Sequence, residues 1–200
     1  MKFGVGQPVK RFEDQTLITG RGRYTDDITL PNMAQAFVLR APVAHANIKR
    51  IDTAAARKMP GVLAVLTGDD VAADQLGDIP CHAPLNNRDG SPRSDTPRPM
   101  LAIGKVRHAG QPVALVVAET LPQAQDAAEA IAIEYDSLPA VTDARAALKP
   151  GAPQLFDTIP GNLVFDWDND TSDFTAVDAA FAKAAHVTTL EMVNNRVVAN

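Results

Sequence analysis

The side chains that could ligate a metal or act as nucleophiles are few in this 200-residue chain, and they are scattered. The single cysteine, Cys81, precedes His82, and a thiolate beside an imidazole could bind a transition metal or form an activated nucleophile if further ligands converged. The other histidines, His45, His108 and His186, have no partner at metal-ligand spacing. We therefore interpret Cys81 and His82 as loop residues and predict neither a metal site nor a catalytic residue.

Two groups of aspartates could be interpreted as calcium ligands, because alternate aspartates on a loop supply hard oxygen donors. The segment 166–170, DWDND, has no glycine at the sixth loop position and no glutamate at the twelfth. We therefore predict a solvated turn there, with Trp167 as its aromatic anchor. Helix-cap and turn roles are sufficient for Asp26 and Asp27.

Nucleotide and nucleic-acid binding are both disfavoured. The segment 4–6, GVG, begins like a dinucleotide fingerprint, but it lacks the third glycine and a preceding strand, and Pro8 stands where a helix should begin. The formal net charge is -5, whereas sequence-independent binding of nucleic acid needs a basic surface that displaces phosphate counterions.

The composition is that of a globular protein. Hydrophobic residues make up 46% of the chain, which is enough for one domain with an extension. One cysteine excludes an internal disulfide, fits a reducing compartment, and leaves any iron-sulfur cluster to a partner chain, since such clusters need about four ligands. No apolar run has the length of a signal peptide, or the ~18 residues of a membrane span. We expect a cytoplasmic protein without a transmembrane segment.

The hydrophobic periodicity predicts an α+β order after a polar, turn-rich arm at 1–33. A helix after Thr120 is well marked, because Thr120 and Gln123 have the spacing of a capping box. The other predicted elements of this region are a helix at 53–59 and strands at 35–40, 47–51, 61–67, 104–106, 113–118 and 131–135.

The remaining segments are rich in proline and glycine. Residues 79–99 are predicted to be a long loop that either docks a partner or is mobile. A domain boundary is expected near 140, followed by a linker at 140–165. The tail is then predicted to contain a strand at 162–167, a helix at 175–185 and a strand at 186–193.

Four segments, in this order, carry a resemblance to a known family. They are VKRFEDQTLITGRGRYTDDI at 9–28, RAPVAHANI at 40–48, MPGVLAVLTGDDV at 59–71 and VRHAGQPVALVVAETLPQAQDAA at 106–128. They resemble the large, molybdenum-binding subunit of the xanthine dehydrogenase and aldehyde oxidase family, and most nearly its bacterial carbon monoxide dehydrogenase-like branch. The tail EMVNNRVVAN at 191–200 is similar to the point where such subunits enter their cofactor-binding domain.

The resemblance implies an α/β-hammerhead domain with an N-terminal arm at 1–140, followed at 141–200 by a linker and the truncated start of the molybdenum-cofactor-binding domain. In the parent enzyme a pterin-bound molybdenum oxidises carbon monoxide, an aldehyde or an aromatic heterocycle. Electrons then pass through two 2Fe-2S clusters to FAD on partner subunits. No iron-sulfur domain precedes the arm, so the chain resembles the separate large subunit of a three-subunit assembly, expected as a dimer of heterotrimers.

The resemblance transfers no catalytic or cofactor-binding residue to this chain, which leaves a structural and subunit-docking role. The candidate interface residues are Arg11, Arg21 and Arg23, because guanidinium groups bind carboxylates at two points and are enriched at protein contacts. Gln111, in the turn before a predicted buried strand, is expected to be structural.

Two other hypotheses remain open on the sequence. One is a stand-alone interaction module with the hammerhead fold and no redox role, and the reading frame beyond Asn200 would distinguish it from an enzyme subunit. The other is a small hydrolase, which would require His82 or His108 to be essential.

Overall fold

The computed structural model describes residue 6 and residues 10–81, 85–167 and 173–192, and it contains two three-stranded antiparallel sheets. The strands are β1 (Gln35–Arg40), β2 (Ala46–Asp52), β3 (Val62–Thr67), β4 (Lys105–Val106), β5 (Pro112–Ala118) and β6 (Ala132–Ser137). The α-helices are α1 (Asp14–Ile18), α2 (Gly68–Ala73), α3 (Leu121–Glu129) and α4 (Phe174–Lys183). In the described ranges, no helix has the length and apolar character needed to cross a membrane.

Strand β5 is the centre of the first sheet, whose order is β1-β5-β3. Its sequence, PVALVVA, is apolar throughout. Ala114, Val116 and Ala118 on one face are completely buried, whereas Leu115 and Val117 on the other face are partly buried. Val116 lies opposite Phe37 of β1 and Val65 of β3, so that one row of side chains crosses the sheet. Val65 and Val116 are completely buried.

Helix α3 covers one face of this sheet. It begins at the predicted capping box, in which the Gln123 amide donates to Thr120 Oγ1 and the Thr120 amide donates to Gln123 Oε1. Ala124, Ala127 and Ala128 are buried against the sheet. Because alanine has only a methyl side chain, the helix can approach the strands closely.

The second sheet has the order β4-β2-β6 and adds a second group of buried side chains. This cluster contains the completely buried Ala46, Val106 and Val113. Leu39 and Ile133 pack against both this cluster and the one under α3. The two sheets therefore share one continuous hydrophobic core, and the predicted α+β class is confirmed.

Several short elements differ from the sequence-based predictions. The helix predicted at 53–59 is only a 3₁₀ turn at Ala56–Lys58. Helix α2 was not predicted, although Thr67 and Asp70 have capping-box spacing and the Thr67 amide donates to Asp70 Oδ2 over 2.7 Å. The arm is not wholly extended, since it contains α1 and a 3₁₀ turn at Thr25–Asp27.

The strands predicted at 162–167 and 186–193 are wrong over their described residues. Where the first of these strands should begin, the chain forms a 3₁₀ turn, Pro160–Asn162. The Asn162 side chain hydrogen-bonds to the backbone of three residues. Those bonds tie the start of the segment to residues 147–155, and further along it the Val164 and Asp166 carbonyls accept from loop residues and not from a sheet strand. The helix predicted at 175–185 is confirmed as α4, whereas residues 193–200 lie outside the described residues.

Gly68 is required by close packing at the start of α2. A Cβ atom there would lie 2.2 Å from the Ala102 carbonyl oxygen and 3.2 Å from the Ile103 Cα, which are backbone atoms that cannot rotate away. We expect Gly68→Ala to lower the free energy of unfolding, measured by urea denaturation, by about 2–3 kcal/mol. The matched control is Gly22→Ala, whose Cβ would meet only the end of the Leu17 side chain and should stay within about 1 kcal/mol of the parent chain. Equal losses in both variants would contradict this explanation.

Candidate subunit interface

The N-terminal arm, described from residue 10 to residue 33, exposes apolar side chains that the body of the chain does not cover. Phe12 is 99% exposed and Ile18 is 83% exposed. Backbone hydrogen bonds in this range join only neighbours in sequence, such as the Leu17 amide to the Glu13 carbonyl. The arm therefore has local structure and an unpartnered surface.

The three arginines predicted as interface residues lie on this arm, and all are exposed. Arg11 is held by Asp14, with 2.9 Å between Nε and Oδ1. Arg21 donates through Nε to Thr19 Oγ1, and within the described ranges neither Arg21 nor Arg23 forms an ion pair. Two guanidinium groups are thus available to a partner, and the interface role of all three arginines stays a prediction.

The described residues that could have formed a metal or nucleophilic site are not brought together. Cys81 is exposed on the loop and His82 lies outside the described residues. His108 is exposed beside the Ala109 carbonyl, and His186 bonds to the Thr188 hydroxyl. Within the parts of the chain that the structure describes, no three His, Cys, Asp or Glu side chains could hold a metal.

The aspartates serve as turn and cap groups where they are described. Asp27 Oδ2 accepts from the Tyr24 amide at 2.9 Å, which closes the 3₁₀ turn of the arm. Asp166 pairs with Arg88 at 2.9 Å. Trp167, predicted as the aromatic anchor of a solvated turn, is 52% exposed, and residues 168–170 of that turn lie outside the described residues.

His45 is buried and structural. Its Nδ1 lies 2.7 Å from the Pro139 carbonyl oxygen, and because a carbonyl can only accept, Nδ1 must carry the proton. Nε2 is buried, and no described residue forms a hydrogen bond with it. The Tyr135 hydroxyl is likewise buried, and no described residue forms a hydrogen bond with it. His45 joins the start of β2 to the chain after β6.

Gln111 has the structural role expected from the sequence. It is buried, its Oε1 accepts from the Arg107 amide at 2.7 Å, and its carbonyl accepts from Ala41. These bonds fix the turn that leads into β5.

Arg107 attaches the segment after residue 140 to the body. Its Nε donates to the Leu155 carbonyl at 2.9 Å, and its guanidinium lies 4.7 Å from the centre of the Phe156 ring. Burial lowers the pKa of Arg107, and the nearby Asp157 carboxylate opposes that shift. The sequence analysis missed this contact, because nothing in the spacing of Arg107 and Phe156 indicates that they meet.

The proline-rich loop also contacts this segment. The Arg88 amide donates to the Asp166 carbonyl, and the Ser94 amide donates to the Val164 carbonyl. A cavity of about 390 Å³ lies between the two segments. On the loop, hydrogen bonds from the Ser91 hydroxyl and amide hold the pKa of Asp89 below its ordinary value. The described part of the loop therefore docks within its own chain.

Comparison with known proteins identifies the central region. The family model described as "Aldehyde oxidase and xanthine dehydrogenase, a/b hammerhead domain" matches residues 19–139. Two solved structures share this fold. Quinoline 2-oxidoreductase from Pseudomonas putida 86 has a TM-score of 0.69 at 42% identity, over 82% of this chain and 20% of that chain. Carbon monoxide dehydrogenase from Oligotropha carboxidovorans has a TM-score of 0.71 at 35% identity, over 92% of this chain and 23% of that chain.

Curated relatives have similar identities. The carbon monoxide dehydrogenase large chain of Hydrogenophaga pseudoflava is 39% identical, over 92% of this chain and 23% of the relative. The nicotine 6-hydroxylase large subunit of Paenarthrobacter nicotinovorans is 37% identical, over 92% of this chain and 21% of the relative. The chain thus spans between a fifth and a quarter of the length of these relatives.

The unpartnered Tyr135 hydroxyl makes a testable contribution to stability. We expect Tyr135→Phe to raise the free energy of unfolding near neutral pH by about 1 kcal/mol, because it removes a buried polar group that has no partner. Burial raises the pKa of Tyr135 above its ordinary value of 10.0. The unfolded chain therefore loses this proton first, and stability present below pH 10 is lost as the pH rises through the folded pKa.

Urea denaturation at pH 7 and at alkaline pH measures both effects. The parent chain should lose more stability between the two conditions than Tyr135→Phe does. Tyr24→Phe, at the other tyrosine, which is exposed, is the matched control and should behave like the parent chain. An alkaline loss in Tyr135→Phe as large as that of the parent would contradict the assignment.

Proposed function

The chain belongs to the aldehyde oxidase and xanthine dehydrogenase family, and from this premise we propose that it is the N-terminal segment of a molybdenum hydroxylase large subunit. The observation that carries the proposal is the extent of the match, since 92% of this chain corresponds to 23% of a carbon monoxide dehydrogenase large chain. Such a partial match fits one segment of a polypeptide roughly four times as long.

In this proposal residues 1–140 form the hammerhead domain with its arm, and residues 141–200 form the linker and the start of the molybdenum-cofactor-binding domain. The Arg107 contact supports a linker that is fixed to the hammerhead domain, because it ties residues 155 and 156 to the turn before β5. The body of the chain then acts as a rigid support from which the downstream domain continues.

The parent enzyme is proposed to oxidise carbon monoxide, an aldehyde or an aromatic heterocycle at a pterin-bound molybdenum. Relatives named for carbon monoxide, nicotine and quinoline support this range of substrates. Within residues 10–81, 85–167 and 173–192, no three His, Cys, Asp or Glu side chains could hold a metal. In this proposal the contacts to the pterin-bound molybdenum lie in the downstream domain. The choice of substrate would lie in the downstream domain.

The segment's own role is proposed to be structural and to include subunit docking. The partners would be an iron-sulfur subunit with 2Fe-2S clusters and a flavin subunit with FAD, in a dimer of heterotrimers. Arg11, Arg21 and Arg23 are the proposed contact residues, supported by their exposure on an arm with an uncovered apolar surface. The molybdenum-binding subunit of an Escherichia coli xanthine dehydrogenase, 38% identical to this chain, carries a name that describes one subunit of an assembly. A stand-alone interaction module is not favoured, because the relatives are larger oxidoreductases.

The reading frame and metal content test the proposal directly. We expect the frame to continue beyond Asn200 for several hundred codons, and the polypeptide isolated from its native source to contain about one molybdenum per chain by mass spectrometry of the metal. A natural stop codon directly after Asn200 would contradict the proposal. The isolated 200-residue chain is the control, and stoichiometric binding of molybdenum cofactor to it would contradict the placement of the cofactor downstream.

A further inference from the structure

Residues 155–166 are attached to the body of the chain at two separate places. The first attachment comes from β4 and the turn after it. Arg107 holds residues 155 and 156 by a hydrogen bond and a cation–π contact. Lys105 adds an ion pair with Asp157, with 3.4 Å between Nζ and Oδ2. Two neighbouring cations therefore fix the start of this segment.

The second attachment comes from the proline-rich loop and fixes the end of the segment. The Ser94 amide donates to the Val164 carbonyl at 3.0 Å, and the Arg88 amide donates to the Asp166 carbonyl at 2.7 Å. In return, the Asp166 amide donates to Asn87 Oδ1 at 3.1 Å. Backbone groups on both sides make these contacts, so they depend on the loop having a fixed shape.

The tip of the loop has such a shape because it is closed by its own hydrogen bonds. The Asn87 amide donates to the Ser91 carbonyl at 2.8 Å, and the Gly90 amide donates to the Asn87 carbonyl at 2.9 Å. Asp89 Oδ1 accepts from the Ser91 amide at 2.9 Å. The loop therefore presents its donors to residues 164 and 166 without needing those residues for its own closure.

Asn162 connects the two attachments. Its Oδ1 accepts from the Leu155 amide at 3.0 Å, and its Nδ2 donates to the Pro153 carbonyl at 2.9 Å. Between these residues, Ile159 is only 2% exposed. The residue that lies two positions before Val164 is thus bonded directly to the residue that Arg107 holds.

We propose that residues 155–166 form one rigid strap, in which Asn162 couples the two attachments, so that release of Arg107 at one end loosens the contact with the loop at the other. Asn162 is then a positioning residue, and the described part of the loop is an anchor for the strap. This inference rests on the enzyme proposed above, in which the strap fixes the direction in which the polypeptide leaves the hammerhead domain for the downstream domain.

Amide hydrogen exchange of the 200-residue chain, followed residue by residue by NMR, tests the coupling. Arg107→Met keeps an apolar stem but removes the donor and the charge. We expect it to speed exchange of the Arg88 and Ser94 amides at least ~10-fold, because both amides donate to the strap. The Gly90 amide, which is bonded within the loop, and the amides of β5 should keep their rates.

Asn162→Gly tests the coupling residue itself. Asn162 has φ of +58°, which glycine adopts readily, so this variant removes the side-chain amide without straining the backbone. It should speed exchange at Arg88 and Ser94 while Arg107 is still present. Adding Arg107→Met to it should change those rates by less than ~2-fold, because the two substitutions break the same connection.

Two matched controls separate the coupling from general effects. Asn32→Gly makes the same change at an asparagine of the arm that also has φ of +58°. Arg50→Met removes an arginine of β2 that pairs with Asp52 at 2.7 Å. Both variants should leave the Arg88 and Ser94 amides at their parent rates.

Three results would overturn the inference. The first is unchanged exchange at Arg88 and Ser94 in Arg107→Met, which would make the two attachments independent. The second is an equal acceleration at Gly90 or in β5, which would indicate a general loss of stability. The third is a full additive effect of Arg107→Met in the Asn162→Gly background. The assay contains neither molybdenum nor partner subunits, so its failure leaves the reading-frame test of the enzyme proposal unaffected.

Discussion

The fold depends on the burial of strand β5 between β1 and β3 and beneath α3. The backbone of β5 hydrogen-bonds to an antiparallel strand on each of its two edges. Val116 and Ala118 are completely buried. Neither β1 nor β3 has another partner in the first sheet. Loss of β5 would therefore separate both edge strands and expose the alanine face of α3, so the remaining contacts of this half of the body depend on one apolar strand.

That constraint also explains where function can lie. Inside the body, polar groups are used to hold turns and connections, as Gln111 holds the turn before β5 and His45 holds the exit from β6. Arg107 is used in the same way to fix the segment after residue 140. We therefore expect contacts with other molecules to be made by segments that project from the body. Among the described residues, apolar side chains are left uncovered on the arm, at Phe12 and Ile18, and on α4, at Phe174 and Phe181.

Whether the sequence predicts a feature of this structure depends on how far apart in sequence the interacting residues are. The strands of the body and the start of α3 were predicted because local signals, the apolar run of β5 and the Thr120 capping box, agree with the tertiary fold. The strand predicted at 162–167 is wrong because Asn162 bonds back to residues 147–155 and the carbonyls of Val164 and Asp166 accept from the loop, which an apolar pattern does not reveal. The cation–π contact joins Arg107 and Phe156, which are far apart in sequence, so it has no local signature. The interface role of Arg11, Arg21 and Arg23 was predicted from the chemistry of guanidinium groups, which does not identify their partner.

The central claim is that the body around β5 is a self-sufficient support, whereas the described arm is held only by hydrogen bonds between neighbours in sequence. Native-state hydrogen exchange on the isolated chain tests this claim most directly. The account predicts the slowest exchange in β5, at the rate set by global unfolding, and much faster exchange in residues 10–33. Protection of the arm equal to that of β5, or exchange in β5 as fast as in the arm, would contradict it.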